Sequence, residues 1–408
     1  MLLFDTLRGA KFPLAIPPAA ERPLSLYVCG VTPYDTTHIG HAHTFLIFDV
    51  LIRYVRHRGG VVRYVRNVTD VDDPLFERAA RDGRHWKELA ESETDKFHRD
   101  CVALNMLPPD HVPRVSQEID GMLPIIDDLV GRGYAYAAGG SVYFSVARWP
   151  QYGEMVRERL PDRAALLTAA NAMGNVPDDP HKRDPLDFVL WRPSNPGEPA
   201  WPSPWGAGRP GWHIECTAMA TRYLGNQLDI HGGGRDLTFP HHPSEIAQSE
   251  AHTGCTPFAR FWMHGGLAFL NGEKMSKSLG NLVLIRDAVR RHSTAALRWY
   301  LLRTPYRADF NYVTAEVEAT EAQVGRLFDA LGTTGGAGTP LEISRGRDAV
   351  LDWLDDDLQT DRALPILAEV AEQVIAAAAA GRDVAAAQAQ VRELLEVFGF
   401  PLSRPWPR

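Results

Sequence analysis

Between Leu24 and Asp70 the chain spells strand, turn, helix, strand, and that order leaves few folds open. Leu24 to Cys29 is a short apolar stretch of β-formers closed by Gly30. Thr44 to Arg56 follows with apolar residues at helical spacing: Phe45, Phe48, Leu51, Ile52 and Val55. Val61 to Val65 is a second β-rich run, leading into Asn67-Val68-Thr69-Asp70. Such a unit predicts a parallel α/β sheet. Parallel α/β sheets bind ligands at the carboxyl ends of their strands, where Cys29 and Asn67 fall.

A chain of 408 residues exceeds one ordinary compact core, so two or three domains are expected. Residues 85–136 read as two helices with polar faces, followed by a strand from Ser141 to Val146 and a Pro- and Gly-rich stretch from Pro177 to Pro210. Gln227 to Ile230 reads as a strand ending in the glycine loop His231-Gly232-Gly233-Gly234, and Arg260 to Leu270 as a strand pair. From about residue 286 the pattern turns helical. Gly332 to Pro340 reads as a flexible linker, and helices are predicted over Asp348–Leu358, Leu364–Ala380 and Val384–Val397.

No apolar run approaches the roughly 18–20 residues that span a bilayer. Met1-Leu2-Leu3-Phe4-Asp5 has no basic region and does not read as a signal peptide, so a cytoplasmic enzyme is expected, with no membrane partner. The four cysteines, Cys29, Cys101, Cys216 and Cys255, have no spacing of a small secreted framework, and reduced thiols can bind metal. A net charge of −8 does not advertise nucleic-acid binding, although a local basic patch can sit on an acidic protein.

Three constellations carry chemistry. His38-Ile39-Gly40-His41 opens the predicted helix. A helix N-terminus favours anions, glycine admits a ligand close to the backbone, and two imidazoles one turn apart can donate to a phosphate. The bland alternative is a histidine cap. Lys274-Met275-Ser276-Lys277-Ser278 is a cationic loop suited to a pyrophosphate, or else a solvated basic turn. Cys29, Cys216, His241 and Glu245 comprise two thiolates, an imidazole and a carboxylate, a complete tetrahedral zinc set. His241 and Glu245, four apart, share a face if a helix starts there. There is no CxxC pair, so buried packing and a surface pair stand beside the metal reading.

Taken together, the first two motifs resemble the paired HIGH and KMSKS signatures of class I aminoacyl-tRNA synthetases. The resemblance implies a Rossmann-type catalytic domain that activates an amino acid with ATP and Mg2+. It assigns His38, His41, Lys274 and Lys277 to catalysis. Thr32, His38, Gly40, His41, Gly234, Asp236 and Lys277 would bind ATP, with Asp236 beside the ribose. Tyr27-Val28-Cys29-Gly30, Arg209-Pro210-Gly211-Trp212-His213-Ile214-Glu215-Cys216, Phe239-Pro240-His241-His242, the run Asn67 to Asp73 and Asp184 to Trp191 are similar to cysteinyl-tRNA synthetase. The similarity extends from about residue 4 to about residue 370. It implies one Zn2+ held by Cys29, Cys216, His241 and Glu245, which binds the thiolate of the substrate cysteine. It also implies substrate contacts from Cys29, Thr44, Asn67, Thr69 and Trp212. Cys101 and Cys255 match no ligand position.

The resemblance divides residues 1–285, a catalytic domain with a connective insertion at about 85–200, from a helical bundle at 286–408 that would contact the tRNA stem. Cysteinyl-tRNA synthetases usually add an anticodon-reading domain, and none is evident here after Phe398-Gly399-Phe400. Pro33 and Pro74 stand where those enzymes usually have valine and lysine. These features resemble the mycothiol-pathway ligase, which joins activated cysteine to the amine of glucosaminyl-inositol. Glu245, His264-Gly265-Gly266 and Lys277-Ser278-Leu279-Gly280-Asn281 lean to the synthetase. The expected partners are L-cysteine, ATP and tRNA(Cys), with the amino-sugar acceptor, and a non-catalytic binding protein, as alternatives.

Overall fold

The computed structural model describes residues 1–35, 37–270, 272–275 and 280–402, without the side chain of Lys274. Its centre is a four-stranded sheet with strands in the order Ala259–Gly265, Leu228–Gly234, Leu24–Val31 and Val62–Val68. All three pairings are parallel, as the strand–helix–strand unit predicts. The connections leave the Leu24–Val31 strand in one direction and reach the Leu228–Gly234 strand in the other. A crevice therefore opens at the carboxyl ends of these two neighbours.

The strand predicted as Gln227 to Ile230 runs on through the glycines to Gly234. Packing explains the extension. A Cβ at Gly232 would lie 2.3 Å from the Phe48 ring, so only glycine lets the helix Ile39–His57 settle on this strand. That helix buries Phe45, Phe48, Leu51, Ile52 and Val55, the residues whose spacing predicted it.

Between the strands Val62–Val68 and Leu228–Gly234 the chain forms helices including Asp73–Arg81, Trp86–Ala103 and Val115–Gly131 and an antiparallel sheet. That sheet orders Ala135–Ala138, Ser141–Phe144, Phe188–Pro193 and Gly208–Pro210. The Pro- and Gly-rich stretch thus contains two strands. A further small sheet pairs Ala268–Leu270 with Glu273–Lys274 and with Phe310–Tyr312. It carries the beginning of the lysine-rich motif; Ser276, Lys277 and Ser278 lie outside the described residues.

The C-terminal part consists of helices including Thr314–Gly332, Ser344–Asp355, Thr360–Ala379 and Ala385–Val397. The predicted linker at Gly332 to Pro340 is packed: Gly336 donates to the Arg382 carbonyl, and a Cβ there would meet the Gly381 carbonyl at 2.2 Å. The helix predicted to reach Leu358 ends at Asp355, because Asp357 and Leu358 take left-handed backbone angles. Phe48, Leu297, Leu367 and Leu394 belong to one buried cluster, so these helices pack on the sheet's own helix.

Candidate active site and metal centre

Cys29 lies near the carboxyl end of its strand, beside the topological crevice. Cys216 comes from helix Trp212–Leu224, and His241 and Glu245 from helix His241–Thr253. Their donor atoms all lie within 4.8 Å of one another, and all four residues are buried. Tetrahedral zinc bonds of about 2.3 Å to sulfur and 2.0–2.2 Å to nitrogen and oxygen place sulfur pairs about 3.8 Å apart and N–O pairs about 3.4 Å apart. Cys29 Sγ and Cys216 Sγ are 3.8 Å apart, and His241 Nε2 and Glu245 Oε1 are 3.4 Å apart.

Both Glu245 carboxyl oxygens are buried and complete no hydrogen bond of good geometry among the described residues, although His231 Nε2 stands 3.0 Å from one of them. A bare carboxylate there is costly unless a cation meets it. Burial pushes the Glu245 carboxyl well above its ordinary range and the Cys29 thiol likewise. Burial holds the His241 imidazole well below its ordinary range, leaving it neutral with a lone pair to offer. The residues present therefore fit a soft divalent cation.

The sequence reading missed a second donor group here. Cys29, His231, His242 and Glu245 also lie within 4.8 Å of one another. Cys29 Sγ is 3.5 Å from both His231 Nε2 and His242 Nε2. The His231 contact to Glu245, at 3.0 Å, is a hydrogen-bond length, while that of His242 is 3.9 Å. Both depart from about 3.4 Å, so the pair of thiols makes the better tetrahedron. Glu245 three residues after His242 and four after His241 was the available signal.

Further histidines hold the first ones in place. His213 Nδ1 lies 2.9 Å from His241 Nδ1, leaving Nε2 toward Glu245. His242 Nδ1 meets His264 Nε2 at 2.7 Å, and His264 Nδ1 meets Thr6 Oγ1 at 2.8 Å. Trp212 stacks on His241 with ring centres 4.2 Å apart.

A cavity of about 210 Å³ adjoins Cys29 and brings together His38, Gly40, His41, Thr44, Gly234 and Asp236. His38 caps the helix through Nδ1, which accepts from Gly40 N at 3.1 Å, and His41 Nδ1 accepts from His38 N at 3.3 Å. The capping reading and the ligand reading coexist: the caps fix both rings beside the cavity. A Cβ at Gly40 would lie 2.8 Å from the His38 ring, so glycine lets that ring fold back. Lys274 enters the neighbouring sheet by its backbone, and Lys277 lies outside the described residues.

Other assigned residues stand elsewhere. Thr32 donates to Asp72 at 3.1 Å. Asn67 accepts from Gly30 N at 2.8 Å and donates to Thr69 Oγ1 at 3.1 Å, tying two strand ends together. Trp212 lines a larger cavity of about 670 Å³, with His213, Asp72, Tyr152 and Arg209.

A parallel sheet with a histidine-capped helix at its switch point defines a nucleotide-binding α/β protein of the class I synthetase kind. Residues 15–322 match the family model described as tRNA synthetases class I (C) catalytic domain. The chain belongs to the cysteinyl-tRNA synthetase family. It is 46% identical over 350 residues to the cysteine–tRNA ligase of Thioalkalivibrio sulfidiphilus (strain HL-EbGR7), covering 86% of this chain and 74% of that one. It is 41% identical over 404 residues to that of Halorhodospira halophila (strain DSM 244 / SL1), covering 98% and 85%. Mycobacterium tuberculosis methionyl-tRNA synthetase in complex with methionyl-adenylate shares the fold at a TM-score of 0.63 and 16% identity, over 92% of this chain and 89% of that one. Among the described residues, no helix is long and apolar enough to cross a membrane.

Proposed function

We propose that this protein is a cysteine–tRNA ligase that makes cysteinyl-adenylate from L-cysteine and ATP and passes the cysteinyl group to tRNA(Cys). The observation that carries this reading is the buried Cys29, Cys216, His241 and Glu245 set beside the cavity of His38 and His41. Those four residues would hold one Zn2+, which when bound supplies a soft Lewis acid for the substrate thiolate. Zinc prefers thiolate to a protonated serine hydroxyl, a discrimination that an apolar pocket alone does not achieve.

The chain's own residues position ATP, which enters with Mg2+. His38 and His41, at a helix N-terminus, donate to phosphate oxygens as charge builds on them. Gly234 admits the nucleotide, and the Asp236 carboxylate accepts from its ribose hydroxyls. Lys274 and Lys277 neutralise the departing pyrophosphate. The cysteine carboxylate attacks the α-phosphorus and pyrophosphate leaves. A hydroxyl of the tRNA's 3′-terminal ribose then attacks the carbonyl carbon and AMP leaves. Thr44 and Trp212 border the substrate from the two cavities, and Asn67 and Thr69 hold the strand end that carries Cys29. Thr32 acts through Asp72 at the cleft rim. Residues 1–285 would perform the chemistry and residues 286–408 would contact the tRNA stem.

The test is cysteine-dependent ATP–pyrophosphate exchange, followed by transfer assays with tRNA(Cys) and, separately, glucosaminyl-inositol. Charged tRNA is expected. Adenylate formation with uncharged tRNA, or an amide product with the amino sugar, overturns the acceptor; absence of exchange overturns the activation step. Cys216→Ser is expected to lose the metal in elemental analysis, together with the preference for cysteine over serine. A variant that keeps both removes the zinc assignment.

A further inference from the structure

Tyr27 sits two residues before Cys29 on the same strand and on the same face of the sheet. It is 0% exposed, and its ring centre lies 5.0 Å from that of His231. Its hydroxyl is buried and completes no hydrogen bond of good geometry among the described residues. The hydroxyl and the Cys216 sulfur are close enough to act on one another. A polar group left in this condition costs free energy, and phenylalanine would fill the same space without the cost.

The orphaned hydroxyl makes sense if its acceptor is complete only in the loaded protein. A neutral thiol is a weak acceptor, whereas a metal-bound thiolate carries charge and accepts strongly. We propose that Tyr27 is a positioning residue for the metal centre, donating its hydroxyl hydrogen to the thiolate sulfur of Cys216. The inference rests on the zinc reading above. The bond fixes the direction of the Cys216 sulfur and withdraws charge from it.

The experiment uses the full chain with Co2+ in place of zinc and compares wild type with Tyr27→Phe. Wild type is expected to show a near-ultraviolet thiolate-to-cobalt charge-transfer band. In Tyr27→Phe that band is expected to move to lower energy, because an unbonded thiolate gives up an electron more readily. Competition with a chelator is expected to show about 10-fold weaker metal binding, the range for losing an outer-shell hydrogen bond. Thermal unfolding of the metal-free proteins reports whether removal of one oxygen leaves the fold intact. Should the variant fail to fold, Tyr27 in the intact chain is replaced by a ring-fluorinated tyrosine. Its more acidic hydroxyl is then expected to move the band to higher energy. An unchanged band with unchanged affinity overturns the role of Tyr27 and leaves the metal site standing. Absence of a thiolate band from wild type overturns the metal site, and this inference with it.

Discussion

At the scale of single residues, Gly30 sets the geometry beside the candidate metal site. A Cβ there would stand 1.7 Å from the Asn67 carbonyl oxygen, a backbone atom that cannot swing away. The Gly30 amide also donates to the Asn67 side chain at 2.8 Å. Gly30→Ala is expected to prise the two parallel strands apart at their ends, costing about 1–3 kcal/mol and weakening metal binding at Cys29. Chemical denaturation and metal stoichiometry read the two effects, and an unchanged variant refutes the constraint. Sequence motifs singled out Cys29 and Asn67 for their place at strand ends. They could not reveal that Asn67 holds Gly30, since that contact crosses 37 positions.

At the scale of elements, helix Asp73–Arg81 begins at a carboxylate in an unusual state. Asp72 caps the helix by accepting from Asp73 N at 2.9 Å. Burial pushes its carboxyl up to about 6, against the hydrogen bond from Thr32. The folded value therefore lies above the unfolded value of about 3.9. Stability from this group is fully present below that lower value and is lost as pH rises through about 6. Asp72→Asn keeps a capping oxygen and removes the charge. It is expected to gain on the order of 1 kcal/mol over wild type on passing from pH 4 to pH 8. Melting midpoints measured across that interval test this, and parallel profiles for the two proteins refute it. The helix was not singled out from sequence because it is short and buries only Leu75, Phe76 and Ala79, too few to mark a helical period.

At the scale of the whole molecule, Arg298 joins helix Ile39–His57 to the end of the chain's last described helix. Fully buried, it donates to Asp49 at 2.5 Å, to the Leu104 carbonyl at 2.8 Å and to the Phe398 carbonyl at 3.0 Å. Asp49 belongs to the helix capped by His38, so that helix and the C-terminal helices are fastened by one guanidinium. Arg298→Met leaves Asp49 buried with only Arg53, at 3.0 Å, for a cation. A loss of about 3 kcal/mol is expected, the lower end for breaking a buried pair. Equilibrium unfolding in denaturant measures it; a shift below 1 kcal/mol would mean that Arg53 suffices.

Local order was legible in the sequence because strands and helices have periods of 2 and 3.6 residues, which apolar side chains mark directly. So were the chemical types: thiols, imidazoles, a carboxylate, and two loops suited to phosphates. Tertiary structure alone decided which of them meet. Cys29 and Cys216 are 187 positions apart, and a metal centre requires donors within a few ångströms, a condition no local pattern encodes. The fold also brought His231 and His242 to the same point, so that two donor sets share Cys29 and Glu245. Distance separates them: two sulfurs 3.8 Å apart match a tetrahedron, and that spacing comes from the packing of helix Trp212–Leu224 against the strand that carries Cys29.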